Sequence, residues 1–284
     1  MPRLLVLDID GTLLNSEDIV TPVVSDAIRR AREHGVAVAL ATGRRVGSTR
    51  QVVEEVGIGL PIVTFNGALV WDTEREEAIH ELAFSAPVIQ RVIELCREYD
   101  AAPVLLQGPA YGERIFVPTG NWLRPEYLEW FLDPRRSYVD EVPADEMLNL
   151  PGILTIDVFG PEATLQKLSM AFAELEAQVY DVGEVSSQTD PPNWALNVHM
   201  PGASKAAGVQ VLAQKLGCTL ADVVAIGDGF NDLPLLEAAG VGVAMGNASE
   251  EVKARADVVV NSHDEDGVAE AIERFVLQPL SEPA

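Results

Sequence analysis

The sequence predicts an α/β fold: a parallel sheet flanked by helices, interrupted in mid-chain by a second α/β domain. Three observations carry this. Short aliphatic runs alternate with helix-period segments in the first third and again in the last third, as parallel strands joined by right-handed crossovers require. The middle differs in composition, since all five tyrosines and both Trp122 and Trp130 lie between about residues 84 and 193, with Trp194 at the edge. A chain of 284 residues is long enough for two domains.

The first strand is Arg3–Leu7, a run suited to burial on both faces. A helix opens at Thr21-Pro22, a capping residue followed by proline at the first helical position. Its apolar residues Val24, Ala27, Ile28 and Ala31 share one face, and Gly35 ends it. Strand two is Val36–Ala41, a helix follows from Val46 to Val56 with Gly57 behind it, and strand three is Leu60–Phe65. In the last third, Ser204–Leu216 is a helix with Val209, Leu212, Ala213 and Leu216 inward. Val223–Ile226 is a buried strand, with a helix after it to Ala239, a strand at Val241–Ala244, a helix near Ser249–Arg255 and a strand at Val258–Val260. A final helix starts at Asp266, and the tail from Gln278 is expected to fray.

Residues 84–193 are expected to form the inserted domain, and 1–83 with 194–284 the main one. The insert holds a loose internal repeat of a helix and two strands: Ser85–Tyr99 with Pro103–Gln107 and Arg114–Val117, then Pro161–Leu175 with Gln178–Val182 and Val185–Gln188. The segment Gly108–Tyr138 has turn formers and aromatics without a clean period.

Composition narrows the function. Lys and Arg number 20 against 44 Asp and Glu, a formal charge of -24. Such a surface repels nucleic acid and anionic lipid, and a phosphorylated ligand needs local positive charge or metal to bind. Cys96 and Cys218 form no metal or redox motif and read as small buried hydrophobes. With no signal peptide and no membrane-length apolar run, the expected setting is cytoplasmic. The expected partner is a small phosphate ester, with neither nucleic acid nor membrane, in a monomer or small homo-oligomer.

The chemistry is concentrated where apolar runs stop. Four of them end in Asp8-Ile9-Asp10-Gly11-Thr12, in Thr42-Gly43-Arg44, in Asn66-Gly67, and in Gly227-Asp228-Gly229-Phe230-Asn231-Asp232. In an open parallel sheet such ends share one crevice. Two aspartates one residue apart need a cation, a shared proton or a reaction. The carboxylates of Asp8 and Asp228 with the Asp10 carbonyl make a hard-oxygen set suited to Mg²⁺. The hydroxyl of Thr42 and the amides at Gly43 suit phosphate oxygens. Lys205, one of four lysines, sits in the first turn of a helix, where its charge opposes the macrodipole. A carboxylate and a phosphate oxyanion about 4 Å apart repel by roughly 4 kcal/mol at an effective dielectric near 20. With Mg²⁺ and Lys205 countering this, Asp8 can attack phosphorus in line, and Asp10 can protonate the leaving oxygen and then activate water.

Each piece has a plainer reading. Asp-x-Asp occurs in metal sites of other kinds, although an EF-hand loop needs glycine where Leu13 stands. Thr42-Gly43 suits a strand end, Asn66-Gly67 a hairpin turn, and Asp228 and Asp232 the cap and first turn of a helix. Gly240-x-Gly242 reads as turn glycines, and His34, His80, His199 and His263 show no ligand spacing. The combination, in this order, is what carries weight.

The combination Asp8-Ile-Asp10-Gly11-Thr12-Leu13-Leu14, Ala41-Thr42-Gly43-Arg44, Asn66-Gly67-Ala68, Ser204-Lys205, Gly227–Asp232 and Val243-Ala-Met-Gly-Asn-Ala248 resembles the haloacid dehalogenase-like (HAD) hydrolases, specifically the Cof-type phosphatases of subclass IIB. The resemblance implies a Rossmann-like parallel-sheet core with an inserted α/β cap acting as a mobile lid that sets substrate preference. It implies Asp8 as nucleophile and Asp10 as acid/base, with Mg²⁺ held by Asp8, the Asp10 carbonyl and Asp228 and supported by Asp232. It places Thr42, Gly43, Asn66, Lys205 and Asn231 around the phosphate, and it implies small phosphate esters such as sugar phosphates as substrates. A phosphomutase or phosphotransferase on the same core, and a phosphoacceptor signalling module, stay open as alternatives. Specificity residues are expected within Gly108–Tyr138.

Overall fold

The computed structural model describes residues 2–173, 175, 178–186 and 193–278. In chain order the elements are β1 (Leu4–Leu7), α1 (Pro22–Glu33), β2 (Ala37–Leu40), α2 (Val46–Val56), β3 (Ile62–Thr64), β4 (Leu69–Asp72) and β5 (Glu77–Glu81). Next come α3 (Ala86–Glu98), β6 (Ala102–Gln107), β7 (Ile115–Pro118), α4 (Glu126–Leu132), β8 (Val139–Val142), β9 (Ile153–Gly160), α5 (Glu162–Ala173), β10 (Gln178–Ser186) and β11 (Asn193–His199). The chain closes with α6 (Lys205–Lys215), β12 (Val223–Gly227), α7 (Leu233–Ala238), β13 (Val241–Ala244), α8 (Glu250–Arg255), β14 (Val258–Val259) and α9 (Gly267–Ile272). The α/β fold with a parallel central sheet is the predicted one.

Two compact units result: residues 1–80 with 204–284, and residues 81–203. The second runs ten residues past the limit expected at 193. The physical reason is pairing, because β11 is hydrogen-bonded between β10 and β9 and so belongs to their sheet.

The first unit has a sheet of order β14-β13-β12-β1-β2. Here β1 is an interior strand, parallel to both neighbours, with Leu4 beside Val223 and Ala37. All four of its side chains are fully buried, each contributing ~1.5–3 kcal/mol by leaving water. A bridge from Ala41 to Val63 continues the sheet toward the β3-β4-β5 meander. The cap of α1 is as the sequence implies: Thr21 Oγ1 accepts from the Val24 N–H at 3.2 Å, and Val24, Ala27, Ile28 and Ala31 are buried. The core on one side of the sheet joins Leu4, Val6, Ala39 and Ala225 to Val209, Leu212 and Ala213 of α6 and to Leu233 and Leu236 of α7.

The second unit is a sheet of order β10-β11-β9-β6-β7-β8. Its core gathers Ile89, Val92 and Cys96 of α3 and Leu165, Leu168 and Phe172 of α5 with Leu105, Ile156, Val158, Leu196 and Val198. The helix-then-two-strands pattern recurs as α3-β6-β7 and α5-β10-β11. The second copy differs from expectation, since residues 178–186 form one unbroken strand whose partner is Asn193–His199. The expected strand Val185–Gln188 ends outside the described residues, as does the tail beyond Gln278. Cys96 and Cys218 are free and buried, as expected.

Candidate active site

The first unit brings together the ends of β1, β2, β3 and β12, and the start of α6. The last apolar residue of β1 is Leu7, after which the Asp8 N–H still donates to the Ile226 carbonyl at 3.0 Å. The side chain of Asp8 therefore starts level with the end of β12. The chain then turns through Gly11, whose φ of +70° suits glycine. A Cβ there would lie 2.4 Å from Asp228 Oδ2, so any side chain would displace the neighbouring carboxylate.

Lys205 enters from the first turn of α6, which Ser204 caps by accepting from the Ala207 N–H at 3.1 Å. The helix start is held close by glycines. A Cβ on Gly67 would fall 1.9 Å from the Ser204 carbonyl oxygen, and one on Gly208 would fall 2.5 Å from Val63 Cγ1. Lys205 is fully buried, and its Nζ donates to Asp8 Oδ1 at 2.7 Å and Asp232 Oδ1 at 2.6 Å. The other oxygen of Asp232 accepts from the backbone N–H groups of Asp228 and Gly229 at 3.1 and 2.9 Å. Asp232 thus ties the lysine to the loop after β12.

Asp228 Oδ1 accepts from the Thr12 hydroxyl at 2.7 Å. Carboxylate oxygens of Asp8, Asp228 and Asp232 lie within 4.8 Å of one another, with one ammonium among them. Burial raises the Asp8 carboxyl to about 8 against the pull of Lys205, with Asp232 and Asp228 adding to the rise. Burial likewise raises Asp228 to about 6, opposed by the Thr12 hydrogen bond. Burial disfavours the Lys205 ammonium, but Asp232 and Asp8 together outweigh it and hold its pKa above the ordinary lysine value. Three carboxylates facing one lysine, Asp8 and Asp232 buried and Asp228 half-buried, leave an excess of negative charge, and their oxygen-only donor set fits a divalent cation of the Mg²⁺ type. Asp232 is the least available donor of the three, since Lys205 holds one of its oxygens and two backbone N–H groups hold the other.

The other expected residues sit around this cluster. Thr42 is fully buried. Its Oγ1 accepts from the Arg44 N–H at 3.1 Å, and its carbonyl accepts from the Asn66 N–H at 3.1 Å. Asn66 has positive φ and stands in the connection between β3 and β4. Its Oδ1 accepts from Asn231 Nδ2 at 2.8 Å and lies 3.0 Å from where a Gly43 Cβ would be. Thr42, Gly43, Asn66 and Asn231 therefore converge. Asp10 points another way. Its half-exposed carboxylate is gripped by Arg44, with Nε donating to Oδ2 at 2.9 Å and Nη2 to Oδ1 at 2.5 Å.

Sequence reasoning assigned no role to Arg44, Thr12 or Asn247. Arg44 and Thr12 each adjoin an assigned residue in the motifs, which is the signal available. Asn247, after β13, donates to the Gly11 carbonyl at 2.8 Å, a contact that no spacing reveals. His263, also unassigned, lies close enough to lower the pKa of Asp228.

Comparison with known proteins places this geometry. The haloacid dehalogenase-like hydrolase family matches residues 5–272. A putative phosphatase of Bacillus subtilis, YxeH, is 33% identical over 98% of this chain and 99% of its own length. Among solved structures, the phosphatase BT1666 of Bacteroides thetaiotaomicron superposes with a TM-score of 0.81 at 29% identity, covering 97% of this chain and 95% of that one. The subclass IIB sugar phosphatase BT4131 superposes with a TM-score of 0.78 at 25% identity, covering 96% and 98%. No helix among the described residues is long and apolar enough to cross a membrane.

Proposed function

The chain belongs to the haloacid dehalogenase-like hydrolase family and is a phosphoric monoester hydrolase, and from that premise we propose that it is a Mg²⁺-dependent cytoplasmic phosphatase of small phosphate monoesters, sugar phosphates or related phosphometabolites, acting through an aspartyl-phosphate on Asp8. The observation that carries this reading is the buried Lys205 ammonium bonded to both Asp8 and Asp232 with Asp228 in reach. It joins segments about 200 residues apart in sequence around a single carboxylate.

Asp8 is the nucleophile. Its carboxylate oxygen bonds to phosphorus as the ester oxygen leaves with a proton from Asp10. Asp10 then takes a proton from the water that attacks the acyl phosphate, which releases inorganic phosphate and restores Asp8. Lys205 holds Asp8 in place and offers positive charge to the phosphoryl oxygens. Thr42, Gly43, Asn66 and Asn231 form the polar wall that orients the phosphate. Asp8, the Asp10 carbonyl and Asp228 would hold Mg²⁺, with Asp232 supporting from behind. When bound, the ion supplies positive charge against the transferring phosphoryl group and favours ionised carboxylates. Arg44 keeps the Asp10 carboxylate ordered between turnovers. The unit 81–203 selects the substrate, and sugar phosphates lead because BT4131 is a sugar phosphatase.

The test is hydrolysis of p-nitrophenyl phosphate with phosphate release measured. Asp8→Asn and EDTA each reduce turnover at least a thousandfold, and Mg²⁺ restores the chelated enzyme. Robust activity in either condition overturns the reading. A phosphoenzyme stable for minutes supports a signalling module instead, and phosphate delivered to a second hydroxyl in place of water supports a mutase.

A further inference from the structure

We propose that Asn247 is a positioning residue that aims the Asp228 carboxylate into the metal site and locks the loop after β1. The inference rests on the reading of Asp8 and Asp228 as the cation-holding pair.

The turn that carries Asn247 is itself fixed. The Met245 N–H donates to the Gly227 carbonyl at 3.0 Å and the Gly246 N–H to the Asn261 carbonyl at 3.1 Å. A Cβ on Gly246 would lie 2.8–2.9 Å from backbone atoms of residues 260–262, so the turn is pressed directly onto the loop after β14. From this base the side chain has a single useful orientation. Oδ1 of Asn247 accepts from the His263 N–H at 3.0 Å. A backbone N–H can only donate, so the amide oxygen faces it and the amide nitrogen faces the other way. That nitrogen donates to the Gly11 carbonyl at 2.8 Å and reaches Asp228 Oδ2 at 3.4 Å.

Asp228 is therefore approached from two sides, with the Thr12 hydroxyl on Oδ1 at 2.7 Å and the Asn247 amide beside Oδ2. A carboxylate has about four acceptor positions, so these two donors leave others free, with carboxylate oxygens of Asp8 and Asp232 within 4.8 Å. The same amide holds the peptide after Gly11, in the loop whose Asp10 carbonyl belongs to the proposed ligand set. Removing it frees both the Asp228 carboxylate and the loop. Partners of this kind behind a metal ligand typically alter metal affinity 10–100-fold. Asn247 itself lies on the surface, so shortening it removes little packing.

The test uses the full chain, with Mn²⁺ titrated calorimetrically into the metal-free protein and thermal melting of that protein read alongside. Asn247→Ala raises the Mn²⁺ Kd about tenfold, leaves the metal-free Tm within about 2 °C, and recovers most of kcat at saturating Mn²⁺. Thr12→Val raises the Kd similarly. Ser16→Ala, which removes the nearby hydroxyl bond to Asp264 (2.7 Å) without touching Asp228, leaves it within twofold. Asn247→Ser, a milder truncation, is read in the same way if the alanine variant melts early. An unchanged Kd in both Asn247 variants overturns the inference alone, including the case where only the metal-free Tm falls, which is the mark of a purely structural residue. A wild-type chain that binds no Mn²⁺ overturns the metal reading and this inference with it.

Discussion

Replacing Lys205 by methionine isolates what the buried ammonium does. The side chain keeps its length and loses its charge. At 2.7 and 2.6 Å from Asp8 and Asp232, each attraction is about 6 kcal/mol at an effective dielectric near 20. Much of this sum offsets the burial of the ions, and breaking such a pair by removing one partner typically costs ~3–5 kcal/mol. Taking ~4 kcal/mol in a unit of about 160 residues, the transition of that unit falls by about 8–16 °C. The sign with pH follows from the carboxylates left behind. Burial raises the Asp8 carboxyl to about 8, with Asp232 and Asp228 adding to the rise, and losing the Lys205 charge raises it further. The extra penalty is therefore small while Asp8 stays protonated in both chains and grows as pH rises past about 8. In EDTA, circular-dichroism melts of Lys205→Met and wild type should differ most near pH 9 and draw together toward pH 6. Mg²⁺ in excess of the chelator should recover part of the difference at pH 9 by supplying the missing charge. A deficit under ~1 kcal/mol, or one equal at both pH values, refutes the reasoning.

Further outcomes follow from other parts of the structure. His199 is buried in the second unit, and burial lowers its pKa from 6.5 to about 3. Its neutral form is stabilised by the fold, so its contribution is complete above pH 6.5 and is lost progressively as pH falls toward 3. By pH 5 this amounts to ~2 kcal/mol. Urea unfolding monitored at pH 7 and pH 5 should show a smaller acid loss in His199→Gln than in wild type; equal losses remove His199 as the cause. Gly67→Ala sets a methyl 1.9 Å from the Ser204 carbonyl oxygen at a φ of +90°. It should destabilise the first unit by ~3 kcal/mol or more and slow turnover by moving α6, whereas a wild-type melting curve would show that the turn can shift freely.

The site was readable because burial leaves a sharp mark. An aliphatic run such as Leu4–Leu7 stops being aliphatic only where side chains cease to face the core, and Asp8, Thr42, Asn66 and Asp228 stand at such stops. The caps of α1, α6 and α8 were readable for the same local reason, Thr21, Ser204 and Ser249 each preceding a helix-period face. The second unit was harder. β9 is wholly buried yet carries Thr155 and Asp157 among its aliphatics, which blurs both the run and the alternation. Asp157 is made tolerable by Asn197, whose Nδ2 donates to it at 2.6 Å, and a partner 40 residues away is invisible to any local window. Arg44 and Asn247 were hidden differently. Each acts across a gap between segments, and its residue type is ordinary for a strand end or a turn.

The strand β1 is interior to its sheet, flanked by β2, close to it in sequence, and by β12, more than 200 residues away. Until β12 has been made, β1 has only β2 beside it, and the edge that faces β12 stays open. A chain that stops short of β12 therefore leaves Asp8 without the carboxylates of Asp228 and Asp232. The cluster around Asp8 is complete only once the segment from Lys205 to Asp232 has folded against β1.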